Sequence, residues 1–180
     1  MANKIYFDPT SDTAKVWADF ADDFNDSVAG TEYQITLAAL GIGDSRQGAK
    51  GDMFVNTHLP QRWAVLARIE MDVAVADGEG VHIYWAASPH ATAGTLNPYL
   101  ITGADAEIAT PTAGFLGQLQ YIGTVPLTVA IAPNVHQKCF ITTLPLRYGS
   151  PLVFNDTTQA FEGDDIEMFV AFYPLVDEAQ

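Results

Sequence analysis

Residues 62–76 carry the clearest alternation in the chain. Trp63, Val65, Ala67, Ile69, Met71, Val73 and Val75 fall on one side, and Ala64, Leu66, Arg68, Glu70, Asp72 and Ala74 on the other. A period of two sends successive side chains to opposite faces, so the pattern predicts a half-buried strand. At about 3.3 Å per residue it would reach roughly 50 Å, beyond an ordinary strand, which predicts a bulge or a strong twist within it. Asp77-Gly78-Glu79-Gly80 follows with residues that tolerate positive φ, and Val81, Ile83 and Trp85 then resume the alternation against His82, Tyr84 and Ala86. The two runs are expected to pair as an antiparallel hairpin. A second strong strand covers 166–173; it is apolar on both faces, as a central or covered strand would be, and Pro174 is expected to stop it. Weaker candidates are 31–39, 50–56, 118–124, 127–132, 138–143 and 152–155, each bounded by Gly, Pro or Asn.

These eight or nine short strands do not alternate with long helical patterns. A parallel α/β sheet is therefore disfavoured, and the pattern predicts an all-β, antiparallel β-sandwich with Greek-key connections. A jelly roll is preferred to an immunoglobulin-like sandwich, because one cysteine cannot supply the Cys, Trp and Cys framework of antibody-type domains. The one helical candidate is 13–25, where Val16, Trp17, Phe20, Ala21 and Phe24 could form a stripe after a Ser11 or Asp12 cap. Its acidic end opposes the helix dipole, and the same residues would also suit an extended arm packed on a partner. The expected organisation is an N-terminal arm or short helix over 1–30 and a sandwich domain over 31–180. Within the latter, 88–117 has little periodicity and holds Pro89, Pro98, Pro111 and glycines at 94, 103, 114 and 117. So long a loop predicts a functional segment held by a neighbouring subunit or by the rest of its own fold.

Length and composition narrow the function classes. A chain of 180 residues, 48% apolar, fits one domain with a substantial core. A net charge of −14 argues against binding nucleic acid or anionic membrane surfaces and favours solubility at high local concentration. No apolar run reaches membrane-spanning length and Met1-Ala2-Asn3-Lys4-Ile5-Tyr6 is not a secretion signal, so a soluble protein made in a cytoplasm is expected. Cys139 is the only cysteine, which excludes an internal disulfide; beside Phe140 and Ile141 it is expected to be a small buried hydrophobe.

The candidate chemistry is sparse. Gly43-Asp44-Ser45 matches the nucleophile block of Gly-Asp-Ser esterases, but no Asp-x-x-His block follows; the last histidine, His136, has Pro133 three positions earlier. A turn is the preferred reading. His58, His82, His90 and His136 show no metal-ligand spacing, and Glu162, Asp164, Asp165 and Glu167 lack the alternating oxygen ligands of a calcium loop. Asn155-Asp156-Thr157 and Asn25-Asp26-Ser27 match the glycosylation pattern, though Asn155-Asp156 reads better as a turn. Trp17, Trp63, Trp85 and the tyrosines are expected chiefly in the core, a carbohydrate-stacking platform being the other use. No catalytic, cofactor-binding or metal-binding residue is predicted.

Several short blocks carry a resemblance. They are Asp44-Ser45-Arg46-Gln47-Gly48-Ala49-Lys50, Tyr84-Trp85-Ala86-Ala87-Ser88, Asn97-Pro98, Gly103-Ala104-Asp105, Gln118-Leu119-Gln120-Tyr121-Ile122-Gly123, Arg147-Tyr148-Gly149-Ser150 and Pro174-Leu175-Val176-Asp177-Glu178. Together, over roughly 44–178, they resemble a group of tailed-bacteriophage virion proteins. The resemblance implies a jelly-roll-like structural protein of the virion, a capsid decoration (cement) protein or a component of a head spike or tail, and it brings no active site. The implied partners are copies of itself and the phage major capsid protein or other virion proteins, with no nucleic acid and no membrane. The alternative is a receptor- or carbohydrate-binding module of a spike or tail, which would expose aromatic side chains in a shallow groove.

Overall fold

The computed structural model describes residues 5–7, 14–19, 30–55, 59–128, 134–164 and 168–177. Over these the chain forms, in order, β1 (Ile5–Phe7), β2 (Ala14–Ala18), β3 (Gly30–Gln34), β4 (Ser45–Gln47), β5 (Gly51–Asp52), β6 (Arg62–Glu70), β7 (Gly80–Ser88) and β8 (Ala106–Ile108). The single-turn helix α1 (Ala113–Leu116) follows, and then β9 (Gln120–Pro126), β10 (Val135–Thr142), β11 (Tyr148–Asp156) and β12 (Phe169–Asp177).

The strands make two sheets. One has the order β10-β6-β12-β2-β3, with β1 also on β12; the other has the order β8-β4-β11-β7-β9, with β5 also on β11. All pairings are antiparallel except β2 with β3. Within this arrangement β10-β6-β12-β2 faces β4-β11-β7-β9, the strand order of a jelly roll. Of these eight strands only β7 and β9 are both consecutive and paired, and the other connections cross from sheet to sheet. The expected all-β sandwich is thus the fold.

The sandwich closes on aromatic side chains from both sheets. Trp17 of β2 stacks on Tyr33 of β3, with ring centroids 4.8 Å apart, and meets Trp85 of β7 edge-on at 5.7 Å and Phe172 of β12 at 5.3 Å. Trp17, Trp63, Trp85 and Phe172 are all fully buried, which places the three tryptophans in the core. The Trp17 indole N–H donates to the Ala49 carbonyl at 2.7 Å, so the ring is fixed in orientation as well as in depth. Around this centre the alternation is obeyed closely: Val65, Ala67, Ile69, Val81, Ile83, Val153 and Val170 are also inaccessible to solvent.

Several expectations are corrected. The hairpin proposed across 77–80 is a crossover, because β6 and β7 belong to opposite sheets. Gly78 does take a positive φ of 93°, but the chain has already left the first sheet: Met71 bridges Phe161, and the Asp72 amide donates to the Ala160 carbonyl. Two strands whose inner faces meet across a core show the same alternation as two strands paired side by side, so the pattern fits both. The long strand ends at Glu70, and Val73 is exposed. The helix proposed for 13–25 is a strand over Ala14–Ala18, lying in the same sheet as β6 and β12; residues 20–25 lie outside those described. Pro174 lies inside β12, opposite Trp63. There the flanking strand changes, β2 pairing up to Phe172 and β1 from Leu175, so on that flank a residue without an N–H interrupts no ladder. Pro151 in β11 uses the same arrangement between β5 and β4. Of the stretch 127–132, residues 127 and 128 form no strand and the rest lies outside the described residues. Cys139 is exposed, since its alternation on β10 turns it outward.

Candidate functional site

The loop between β7 and β8 is fixed from beneath by three side chains of the β4–β5 segment. Lys50 projects its ammonium under the loop and donates to the Ser88 hydroxyl and to the carbonyls of His90, Thr92 and Thr95, at 2.9–3.1 Å. Three donors serve four oxygens, as at a cation site. Burial pushes the Lys50 pKa down. Gln47, itself buried, accepts through Oε1 from the amides of Thr102 (2.9 Å) and Gly103 (3.4 Å). Arg46 grips Asp105 through Nε and Nη2, both at 2.6 Å, and Asp105 also accepts from the amide and hydroxyl of Thr36. The Asp105 carboxylate raises the Arg46 pKa, chiefly by hydrogen bonding. Gly103 must be glycine: its φ is +77°, and a Cβ there would stand 3.1 Å from the Ala93 Cα.

This anchorage presents an apolar knuckle. The Asn97 side chain donates to the Ile101 carbonyl, and the Ile101 amide donates to the Pro98 carbonyl, closing a turn over 97–101. Leu96, Tyr99 and Leu100 project from it with 66%, 70% and 44% of their surface exposed. Leu96 and Leu100 hold positive φ values of 51° and 67°, a costly conformation for a branched side chain that persists only where the surroundings impose it. The segment 88–117 is therefore held by the rest of its own fold, and what it offers outward is greasy.

A second feature lies on the outer face of β7 and β9. His82, Tyr84 and Tyr121 of the two strands, with Ala113, Leu116, Gly117 and Leu119, line an open cleft of about 600 Å³. The Tyr84 and Tyr121 rings are 5.4 Å apart and inclined at 60°, while His82 lies 6.2 Å from Tyr121 and stacks on Phe154 at 6.0 Å. His82 Nδ1 is 2.7 Å from the Thr124 hydroxyl, and Nε2 is 3.2 Å from the Asp156 carboxylate. The Tyr121 hydroxyl also bonds Thr124. Burial raises the Tyr84 pKa above the ordinary phenol value, so its hydroxyl stays protonated.

The sequence-level candidates do not assemble into a reactive centre. The Ser45 hydroxyl is fully buried and donates to the Ile108 carbonyl across the β4–β8 pair, while His136 lies on β10 in the other sheet. His82 and His90 stand apart in the fold, the first in the cleft and the second in the loop, and His58 lies outside the described residues. Glu162 accepts from the Gly163 amide, and Asp165 and Glu167 are outside the described residues. Among the described residues no three His, Cys, Asp or Glu side chains gather as a metal site would require. Asn155 is not a surface turn residue but a buried one: its amide donates to the carbonyls of Leu40, Gly41 and Gln159, and its oxygen accepts from Thr157. The knuckle falls within the 88–117 segment expected to be functional, although Leu96, Tyr99 and Leu100 were not singled out there; nor were the residues of the cleft, whose signal is the outward aromatic positions of two strands. Comparison with known family models and with curated proteins finds no match to this chain.

Proposed function

We propose that this protein is a non-enzymatic structural component of a phage-type particle, a capsid decoration protein that assembles with its own copies and docks on the shell of major capsid protein. The observation that carries this reading is the knuckle. Three large apolar side chains stand exposed on a backbone that is strained at two of them and fixed by Lys50, Gln47 and Arg46. Exposed apolar groups on a rigid support are what a docking surface requires, because little ordering entropy is lost on contact. The resemblance of residues 44–178 to tailed-bacteriophage virion proteins supports the particle, and the jelly-roll sandwich is a scaffold that capsid proteins share with other families. A net charge of −14 suits a coat that must stay soluble when crowded and must not bind the packaged nucleic acid.

The test is a variant carrying Leu96→Ser, Tyr99→Ser and Leu100→Ser, added to shells that lack the protein and followed by co-sedimentation. Because the three side chains are exposed, thermal unfolding should change by no more than about 1 kcal/mol. Saturable binding by the parent and a loss of about tenfold or more in the variant is the expected result. Equal binding by the two would remove the knuckle from the docking surface.

A further inference from the structure

The cleft is built by a local irregularity in the sheet. Along β7 and β9 the register is regular from Gly80↔Pro126 to Ile83↔Gly123 and then shifts, so that Tyr84 faces Tyr121 and Ile122 is the extra residue. Without the bulge Ile122 would lie opposite Tyr84 and Tyr121 opposite Trp85, whose ring points into the core. The bulge turns Tyr121 outward beside Tyr84 and leaves Ile122 packed against the core. Bulges that re-aim a side chain recur beside binding sites.

From this geometry we infer that the cleft binds a neutral saccharide ring. Its volume lies in the range of ligand sites. The lining contains no Lys or Arg, and Asp156 sits on His82, so a phosphate or carboxylate would meet a negative edge without a countercharge. The two tyrosine rings are inclined rather than parallel, which does not make a slot for a flat heterocycle. Apolar depth is small, since Leu119 is already buried in the protein and the mouth is open, so an acyl chain would stay largely in water. A pyranose combines an apolar C–H face with a rim of hydroxyls. The Tyr121 ring can take the face, while the Tyr84 hydroxyl is placed for the rim; His82, committed through both ring nitrogens to Thr124 and Asp156, braces the wall of the cleft. The inference is independent of docking through the knuckle, which uses other residues, so either can fail alone.

The experiment is titration of the ¹⁵N-labelled protein with neutral monosaccharides and neutral oligosaccharides, with sialylated and phosphorylated glycans as comparators, followed by amide chemical shifts. The expected result is saturable shifts for neutral sugars, confined to residues 82–84 and 113–124. Tyr121→Ala, at an exposed position, should weaken affinity about tenfold without changing the melting temperature, and Tyr84→Phe, which keeps the ring, should weaken it severalfold. Oligosaccharides that bind more tightly than their monomers would identify a polymer as the source of the ring, and equal affinities a free sugar. No saturable shift up to about 10 mM, a preference for the anionic glycans, or Tyr121→Ala binding as well as the parent would overturn the inference.

Discussion

At the scale of single residues, polar side chains hold parts of the fold that apolar packing leaves open. Asn155 is the clearest, a fully buried amide spanning three carbonyls of two separate segments. Asn155→Ala would leave those carbonyls unpaired and cost about 2–4 kcal/mol, read as a fall in the melting temperature. Asn155→Asp should be worse, because it points a carboxylate oxygen where a donor is needed. Asp52 gives a pH prediction. The Arg147 guanidinium, which hydrogen-bonds both carboxylate oxygens and lies over the Phe54 ring, holds the Asp52 pKa below its ordinary value. A lowered folded-state pKa contributes stability above the unfolded-state value and loses it as pH falls through the folded one, here below about pH 4. The pair is partly exposed, so the effect is small. Asp52→Asn should therefore show a slightly shallower loss of melting temperature between about pH 5 and about pH 3 than the parent; an identical acid limb would contradict the assignment.

At the scale of elements, the fold depends on close approaches between neighbouring strands and on where strands change partners. A Cβ at Gly149 would lie 2.5 Å from two atoms of the Trp85 ring and 2.7 Å from the Ala86 carbonyl oxygen, and that backbone cannot move without breaking the β7–β11 ladder. Gly149→Ala should cost about 1–3 kcal/mol in thermal unfolding. Lys50→Met keeps most of the stem but removes the ammonium from four oxygens. It should cost about 1–2 kcal/mol and open residues 88–100 to limited proteolysis, with the sandwich itself still folded. The same elements show what the sequence could reveal. Alternation identified the faces of β6, β7 and β12 correctly, because burial on one side of a strand is written directly as a period of two. Sheet membership was not written there, and so the crossover at 77–80 looked like a hairpin. The stripe at 13–25 was ambiguous for a related reason: five residues that are all buried, as in β2, carry no period. Strands as short as β4 and its edge neighbour β8 are set by hydrogen bonding and by the Arg46–Asp105 pair, which apolar patterning does not record.

At the scale of the whole molecule, a closed sandwich presents two chemically different surfaces to its surroundings, an apolar knuckle and an aromatic cleft with a hydroxyl rim. The sequence marks the 88–117 loop that carries the knuckle, but which residues face outward depends on the fold, Leu96 and Leu100 standing on left-handed backbone and Tyr121 being turned out by a bulge. The remaining surface follows from a charge of −14, and self-repulsion among neighbouring copies should be screened by salt. Occupancy of shells is accordingly expected to rise between low and physiological ionic strength, as measured by co-sedimentation; a fall would point to docking by charge attraction instead. The most direct measurement is cryo-electron microscopy of shells lacking the protein after the purified chain has been added back. The expected result is saturable density at symmetric lattice positions, with residues 96–100 against the major capsid protein. Density confined to a vertex or a tail, or none at all, would contradict it.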